Sequence, residues 1–450
     1  MNRPDRSILL DKQTHIRYLI VAMLFIASCF SYGDRVALSI AGVAMQKALL
    51  LNPIKMGWLL SGAGWAYTAG QLPSGGLLDR FGSKRVYGIS IIVWSISAFF
   101  IGLAGYAPAA MVFSIIFGLR LVSGLVQSPV FPGNGRIVAS WFPTAERGRA
   151  CAIFNSSQYF SLVAFGGLFG SLTTYYGWKS CFYFMGLAGL LLALAWWKLV
   201  FKVKDHPLIS QSEIDYIERG GGLVNLDSST GARRDPLTWT TFKFLLSQRM
   251  LVGIYIGQYC INTLTTFFLT WFPTYLVKQR HMTILQAGFA AALPALCGFT
   301  GGILGGISSD WLLRSGCSLT FARKTPIIAG MLLSVTMIAC NYTNVQTLVM
   351  VLMSLAFFGK GFGALGWTVI ADTSPKELIG VNGGVFNTFG NLSTITTPIV
   401  IGFLVNNKTG SFNNALIYVA VAALLAIFSY LVIVGEIKRL ELPLPSQAAS

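Results

Sequence analysis

Charged residues are scarce in this chain, and acidic residues are the scarcest of them. Only 11% of the 450 residues are charged, and 16 residues are Asp or Glu. A soluble globular domain carries about 25% charged residues. Hydrophobic residues make up 54% of the chain, and the mean hydropathy is +0.64. This composition excludes a soluble protein and predicts an all-α integral membrane protein that crosses the bilayer many times.

Histidine is also scarce, and cysteine follows no metal-binding pattern. The three histidines, His15, His206 and His281, are expected in loops or tails, and the seven cysteines are scattered without the spacing of metal ligands. Catalysis inside a membrane would need a nucleophile with a base, a metal cluster or paired acids. We therefore expect no enzyme, no metal and no other cofactor.

Positive charge is abundant instead, and the net charge is +17. The Lys and Arg residues form short clusters between apolar runs, which is typical of cytoplasmic loops beside anionic lipid and not of a nucleic-acid surface. The clusters follow every second apolar run, so both termini are expected in the cytoplasm. The N-terminal tail is polar for too long to be a signal peptide and has no cleavage site, so we expect none to be removed.

Twelve apolar segments can be counted, six on each side of one polar stretch. They span residues 17–44, 56–78, 85–104, 108–140, 149–175, 180–201, 248–277, 284–313, 325–342, 346–372, 378–406 and 413–437. We divide the chain into a first six-helix bundle over 1–201, a cytoplasmic linker loop over 202–247 and a second six-helix bundle over 248–450. Within the linker, SQSEIDYIERG predicts a short surface helix, and the remainder is typical of a flexible linker.

The two halves are related to each other. The Phe-Asn pairs at 154–155 and 386–387 each follow a proline at the same distance. A Gly-x-x-x-Asp run ends at Asp79 in the first half and at Asp310 in the second, at nearly the same offset. Two independent markers indicate duplicated six-helix units, and in such transporters the substrate site lies at the repeat interface near the bilayer midplane.

An acid and a base, Asp34 and Arg35, lie side by side inside the first apolar segment. A charge at membrane depth costs about 2.5–3.5 kcal/mol or more, so such residues face a partner or a water-filled cavity. Arg35 and Arg120, in the first and fourth segments, offer guanidinium groups that suit planar carboxylates. Two alternatives stay open: Asp34 and Arg35 neutralise each other as packing residues, and Arg120 only extends to the interface.

Further polar residues recur at helical spacing on several segments, which predicts a polar cavity able to bind a hydroxylated anion. Each pair alone could instead be hydrogen-bonding contact between helices. Lys360 either binds anion directly or pairs with the carboxylate or carbonyls near Asp372. The candidate substrate-binding residues are Tyr32, Arg35, Tyr67, Arg120, Gln158, Tyr159, Gln258, Asn262, Lys360, Trp367, Asn387 and Asn391. Asn155 is placed on the same helix face as Gln158 and Tyr159.

The chain resembles the major facilitator superfamily over almost its full length. The run GGLLDRFGSKRVY at 75–87 is similar to the loop between the second and third helices of that family. The resemblance implies twelve transmembrane helices in two pseudo-symmetric six-helix bundles. It also implies a conformational latch in which basic side chains donate to helix carbonyls and carboxylates; a loop that only follows the positive-inside rule is the alternative. The latch residues are Asp79, Arg80, Lys84, Arg85, Glu146, Arg147 and Asp310.

Within that superfamily the chain is similar to the anion:cation symporters, and among them to bacterial importers of glucarate and galactarate. The resembling segments lie at 31–42, 64–87, 131–162, 256–277, 293–306 and 355–391. The resemblance implies uptake of a sugar-acid anion with protons across the inner membrane by a monomer. A carrier for the monocarboxylates galactonate or gluconate stays an alternative, as do an anion channel and a sensor without turnover.

Proton coupling is the point at which the chain departs from this pattern. Coupling needs a group whose proton affinity changes as access alternates, and Asp34 is the acid placed inside a segment. Many members of the family carry a glutamate seven residues after the fourth-helix arginine, where this chain has Gln127, which cannot titrate. Three interpretations stay open: coupling through Asp34 alone, uncoupled anion exchange, or a Glu-to-Gln substitution that mimics the protonated acid.

Overall fold

The structure is a computed structural model that describes residues 14–226, 239–375, 378–405 and 410–441. Within these ranges the regular structure is helical. The α-helices are α1 (Ile16–Ala48), α2 (Pro53–Phe81), α3 (Ser83–Ala104), α4 (Ala109–Gln127), α5 (Val130–Trp141), α6 (Arg147–Tyr176), α7 (Lys179–Leu199), α8 (Gln211–Arg219), α9 (Trp239–Ser247), α10 (Arg249–Thr270), α11 (Phe272–Lys278), α12 (Ile284–Ala290), α13 (Ala292–Arg314), α14 (Leu319–Val335), α15 (Gln346–Gly361), α16 (Gly366–Thr373), α17 (Ile379–Leu404) and α18 (Asn413–Phe428).

These helices form twelve spans in two halves of six. The first half contains α1, α2, α3, the pair α4–α5, α6 and α7. The second half contains α10–α11, α12–α13, α14, α15–α16, α17 and α18. The predicted segments are confirmed, with ends that agree to within two helical turns except at the last, where α18 ends at Phe428 and the predicted segment at residue 437.

Four of the spans are less apolar than the others. Among the described residues, eight helices or helix pairs are long and apolar enough by composition to cross a bilayer. The spans formed by α2, α6, α10–α11 and α17 fall short in hydropathy, not in length, because they carry many glycines, hydroxyls and amides. Helix α2 packs on α17 and α6 packs on α12, so the polar composition coincides with the junction between the halves.

Two spans are interrupted at corresponding places. Helix α4 ends at Gln127 and α5 begins at Val130, after Pro129, which has no N–H to donate. In the second half a 3₁₀ segment at Phe362–Leu365 separates α15 from α16. The first break therefore follows directly after Gln127, and the second begins two residues after Lys360; the sequence placed both residues in the site.

The predicted surface helix is present as α8. The Ser210 side chain accepts a hydrogen bond from the Glu213 amide at its start, which is an N-cap. The segment after α8 differs from a flexible linker because the Leu223 amide donates to the Ala139 carbonyl at 2.9 Å. Of the rest of the predicted linker, residues 227–238 lie outside the described part of the chain and Trp239–Ser247 form the helix α9. Helix α8 contacts the start of α1, and we call this side of the molecule the α8 end and the other the far end.

The halves are in close contact towards the far end. Gly166 of α6 and Gly288 of α12 approach so closely that an added Cβ at either would lie about 2.5 Å from the other's carbonyl oxygen, so no larger residue fits. Described polar contacts between the halves are Ser39–Thr270, Lys278–Gln46, Gln71–Asn387 and Tyr159–Lys360. The first two lie near the far end of α1, which indicates a conformation closed on that side.

Candidate functional site

A polar cavity lies between the two halves. Six of the predicted residues line it, namely Tyr32, Arg35, Arg120, Gln158, Asn262 and Asn391. The remaining lining residues are Leu60, Ala63, Gly64, Thr265, Thr266, Leu269, Thr270 and Thr394. Both halves contribute, as a site at a repeat interface requires.

Asp34 is paired with Arg120 and not with its neighbour Arg35. The Arg120 Nη1 donates to Asp34 Oδ2 at 2.5 Å, and both residues are 1% exposed. This ion pair joins α1 to α4 and neutralises both charges. The structure therefore differs from both alternatives left by the sequence. Asp34 is not neutralised by Arg35, and Arg120 does not extend to the interface.

Gln127 lies in the same buried network. Its amide nitrogen is 3.4 Å from Asp34 Oδ2, and its carbonyl oxygen accepts a hydrogen bond from the Ser31 hydroxyl at 3.2 Å. The other carboxylate oxygen, Asp34 Oδ1, has no hydrogen-bond partner among the described residues. A buried carboxylate oxygen without a donor is costly.

Arg35 is a cation held by aromatic rings. Its guanidinium lies 5.5 Å from the ring centroid of Tyr32 and 5.4 Å from that of Tyr67, within the range of cation–π attraction. No described carboxylate lies within 4.0 Å of it. The charge that faces the cavity from the first half is therefore the guanidinium of Arg35, because Asp34 cancels that of Arg120.

Lys360 lies outside the residues that line the cavity. Its ammonium is 3.3 Å from the hydroxyl oxygen of Tyr159 and about 5.3 Å from the centroids of the Tyr159 and Phe357 rings. The expected alternative partner, Asp372, accepts a hydrogen bond from Arg323 at 2.8 Å instead. Lys360 therefore joins the halves through a tyrosine and has no described counterion.

Three other predicted residues are near the junction but not on the cavity wall. Gln258 is buried and its Oε1 atom has no described partner. Asn387 donates to Gln71 across the halves at 3.3 Å. Trp367 is 49% exposed and packs its ring against Phe386; the 3₁₀ break separates it from Lys360, so their predicted common helix face is interrupted.

Sequence reasoning missed a group of threonines and misplaced one asparagine. Thr265, Thr266 and Thr270 of α10 and Thr394 of α17 line the cavity. The signal for the three threonines of α10 was the hydroxyl-rich run TLTTFFLT, which continues the face of Asn262. Asn155 is exposed and donates to the Cys151 carbonyl of its own helix at 2.9 Å, because the cavity lies further along α6.

The predicted latch residues contact only their own half among the described residues. Asp79 pairs with Arg136, which the sequence analysis did not identify. Arg147 donates to the Ala139 and Gly221 carbonyls at 3.0 and 2.6 Å.

Two of the expected donors, Arg80 and Lys84, contact aromatic rings instead of carboxylates. Arg80 lies over the ring of Phe81, and the Lys84 ammonium lies 3.4 Å from the ring centroid of Phe201. Arg85 is exposed. Asp310 of the second half pairs with Arg323 at 3.5 Å.

Glu146 belongs to a charged network at the α8 end. It accepts hydrogen bonds from Arg17 at 3.0 Å and from the Tyr216 hydroxyl at 2.8 Å. Burial raises the pKa of Glu146, but the hydrogen bonds from Tyr216 and Arg17 and the charge of Arg17 together lower it by more. The net pKa of Glu146 is therefore below the usual value of 4.5. Arg17 also pairs with Glu213 of α8 at 3.0 Å.

The fold and the cavity define a secondary transporter, and the comparisons agree with that class. Residues 24–322 match the Major Facilitator Superfamily, and the chain belongs to this family. The structure resembles that of a D-xylose-proton symporter with a TM-score of 0.72 at 14% identity, covering 94% of this chain and 98% of the other.

Curated relatives share much more of the sequence. The probable galactarate/D-glucarate transporter GudP of Bacillus subtilis is 57% identical over 96% of this chain and 94% of its own length. The protein of the same name from Escherichia coli K12 is 54% identical over 96% of both chains. A D-galactonate transporter of E. coli O6:H1 is 40% identical over 94% of this chain and 96% of its own length.

Proposed function

We propose that this chain takes up the sugar-acid anions galactarate and D-glucarate across a bacterial inner membrane, coupled to protons and by alternating access. The observation that carries the proposal is the uncompensated guanidinium of Arg35 in a polar cavity between the halves. A cation without a counterion favours an anion, and a guanidinium suits a carboxylate. The cavity hydroxyls and amides match the hydroxyl groups of a sugar acid. The names of the relatives support the same substrate class.

Asp34 is the proton site in this proposal. In the structure its carboxylate holds Arg120 at 2.5 Å. A proton on Asp34 removes its charge and weakens this pair, so Arg120 becomes available to a substrate carboxylate. Gln127 hydrogen-bonds to Asp34 but cannot take a proton, so coupling depends on Asp34 alone.

Alternating access requires the contacts at the far end to open while the α8 end closes. We assign the α8 end to the cytoplasm because the basic loops lie on that side of the sequence, which places both termini there. The bundles at 1–201 and 248–450 move relative to each other, with 202–247 as the connection. Asp79, Arg80, Lys84, Arg85, Glu146, Arg147 and Asp310 form the latch of the state that is closed at the α8 end, and the functional unit is a monomer.

Uptake of labelled D-glucarate into proteoliposomes under an inward proton gradient tests this function. We expect accumulation that a protonophore abolishes. Arg35→Gln should lower uptake by roughly 10- to 100-fold, since a hydrogen bond to a charged group is lost, and Arg35→Lys should restore part of it. Lys55→Gln, at an exposed position of α2, is the control. Failure of the wild-type protein to move any sugar acid would reject the proposal.

A further inference from the structure

Lys360 is an isolated cation at the junction of the halves. It is 6% exposed, and no described carboxylate lies within 4.0 Å of its ammonium. Its contacts are the Tyr159 hydroxyl and the faces of two aromatic rings. A buried ammonium without an opposite charge is costly, so the position is one that an anionic group would stabilise.

The charges in and beside the cavity do not balance. Asp34 and Arg120 cancel each other through their ion pair. Arg35 and Lys360 remain, one in each half; Arg35 contacts aromatic rings, and Lys360 contacts aromatic rings and a hydroxyl. The described site therefore carries two unit positive charges without counterions. A substrate with two carboxylates cancels both, whereas a substrate with one leaves a buried charge unpaired.

The contacts of Tyr159 connect Lys360 to the cavity. Tyr159 follows Gln158, which lines the cavity, on α6. Its ring packs against Phe357, one turn before Lys360 on α15, and against Phe299 of α13. Tyr159 is thus next in sequence to a cavity-lining residue and contacts Lys360, and its hydroxyl is the hydrogen-bond partner of the ammonium that a carboxylate oxygen would replace.

We propose that Lys360 binds the second carboxylate of a hydroxylated dicarboxylate whose first carboxylate is bound by Arg35, with Tyr159 holding the ammonium while the site is empty. This inference rests on the proposed function and adds the residue that determines its substrate specificity. The two negative carboxylates then contact one positive side chain in each half, which favours closure of the halves around the substrate. A monocarboxylate contacts Arg35 only, so Lys360 selects diacids over monoacids.

The test compares D-glucarate, a dicarboxylate, with D-galactonate, a monocarboxylate, as competitors of sugar-acid exchange in proteoliposomes. We expect Lys360→Gln to weaken competition by D-glucarate by about tenfold to hundredfold, because one hydrogen bond to a charged group is lost. Competition by D-galactonate should stay nearly unchanged. Lys360→Arg should keep most of the preference. Lys47→Gln, an exposed lysine at the end of α1, should change neither.

An unchanged ratio of the two competitors in Lys360→Gln overturns the inference while the proposed function stands. A wild-type protein that exchanges neither acid overturns the proposed function itself. If Lys360→Gln folds but does not transport, the rise in melting temperature that each acid causes in detergent decides the question. Loss of the rise with D-glucarate alone supports the inference, and equal rises or equal losses for both acids overturn it.

Discussion

Arg120 and Asp34 are 86 residues apart in sequence, and their side chains meet at 2.5 Å in the interior of the first half. The pair joins α1 to α4 directly beside the cavity. A buried ion pair is strongly destabilised when one partner alone loses its charge. Protonation of Asp34 is therefore a local event that changes both the contact between two spans and the charge presented to the substrate.

Replacement of Asp34 by Asn should separate exchange from accumulation. The amide keeps nearly the same shape but cannot release or take a proton, so Arg120 is freed permanently. We expect exchange of labelled D-glucarate to continue, while uphill accumulation under a proton gradient falls to the level seen without a gradient. Asp205→Asn, in the segment after α7, is the control. Continued protonophore-sensitive accumulation by Asp34→Asn would show that the proton binds elsewhere.

Replacement of Gln127 by Glu should add a second proton site. The new carboxylate would lie beside Asp34, since the present amide is 3.4 Å from Oδ2, and the two acids would share Arg120. Two adjacent carboxylates do not both ionise easily. We expect about one additional proton per substrate, measured as a steeper dependence of accumulation on the proton gradient. Gln127→Met is the matched control without a titratable group, and an equal slope in both variants would contradict the expectation.

The sequence predicted the spans well because each span carries its own signal. A run of about 20 apolar residues is sufficient to identify one, and Ser210 with Gly220 delimits α8 in the same local way. Asp34 and Arg35 were found because a charge within an apolar run stands out, and Gln127 was found because many members of the resembling family carry a glutamate there. These inferences needed no knowledge of which helices pack together.

Pairing between distant spans was not predictable in that way. Helical spacing shows that Lys360 can face the site, but the choice between Asp372 and Tyr159 depends on how α15 packs against α6. The partner of Asp79 was missed for the same reason, since Arg136 lies in another span. The 3₁₀ break after Lys360 also shifts Trp367 out of register, which a straight-helix pattern does not anticipate.

Removal of the Glu213 carboxylate should destabilise the protein strongly. Glu213 has no exposed surface, pairs with Arg17 at 3.0 Å, and accepts hydrogen bonds from the Thr14 hydroxyl and the Ile16 amide. Breaking a buried pair at one partner costs about 3–5 kcal/mol, so Glu213→Ala should lower the melting temperature markedly. Glu218→Gln, at an exposed pair with Lys204, should change stability by about 0–1 kcal/mol. Similar losses in both variants would contradict a special role for Glu213.

The Glu146 carboxylate should make stability depend on acid pH. Its folded-state pKa lies below the usual 4.5 because hydrogen bonds from Tyr216 and Arg17 outweigh burial. A lowered carboxyl pKa adds stability that is complete above the unfolded-state value and disappears as the pH falls through the folded-state value. We therefore expect the melting temperature of the wild-type protein to exceed that of Glu146→Gln by a constant amount at pH 6–8.

The same difference should shrink once the pH falls below about 4.5. Tyr216→Phe removes one of the two donors to Glu146 and should reduce the difference between the proteins without abolishing it, because Arg17 still donates. Melting curves in detergent over this pH range measure both effects. A difference that persists unchanged at the acid end would mean that the Glu146 side chain stabilises the α8 end by packing and not by its charge.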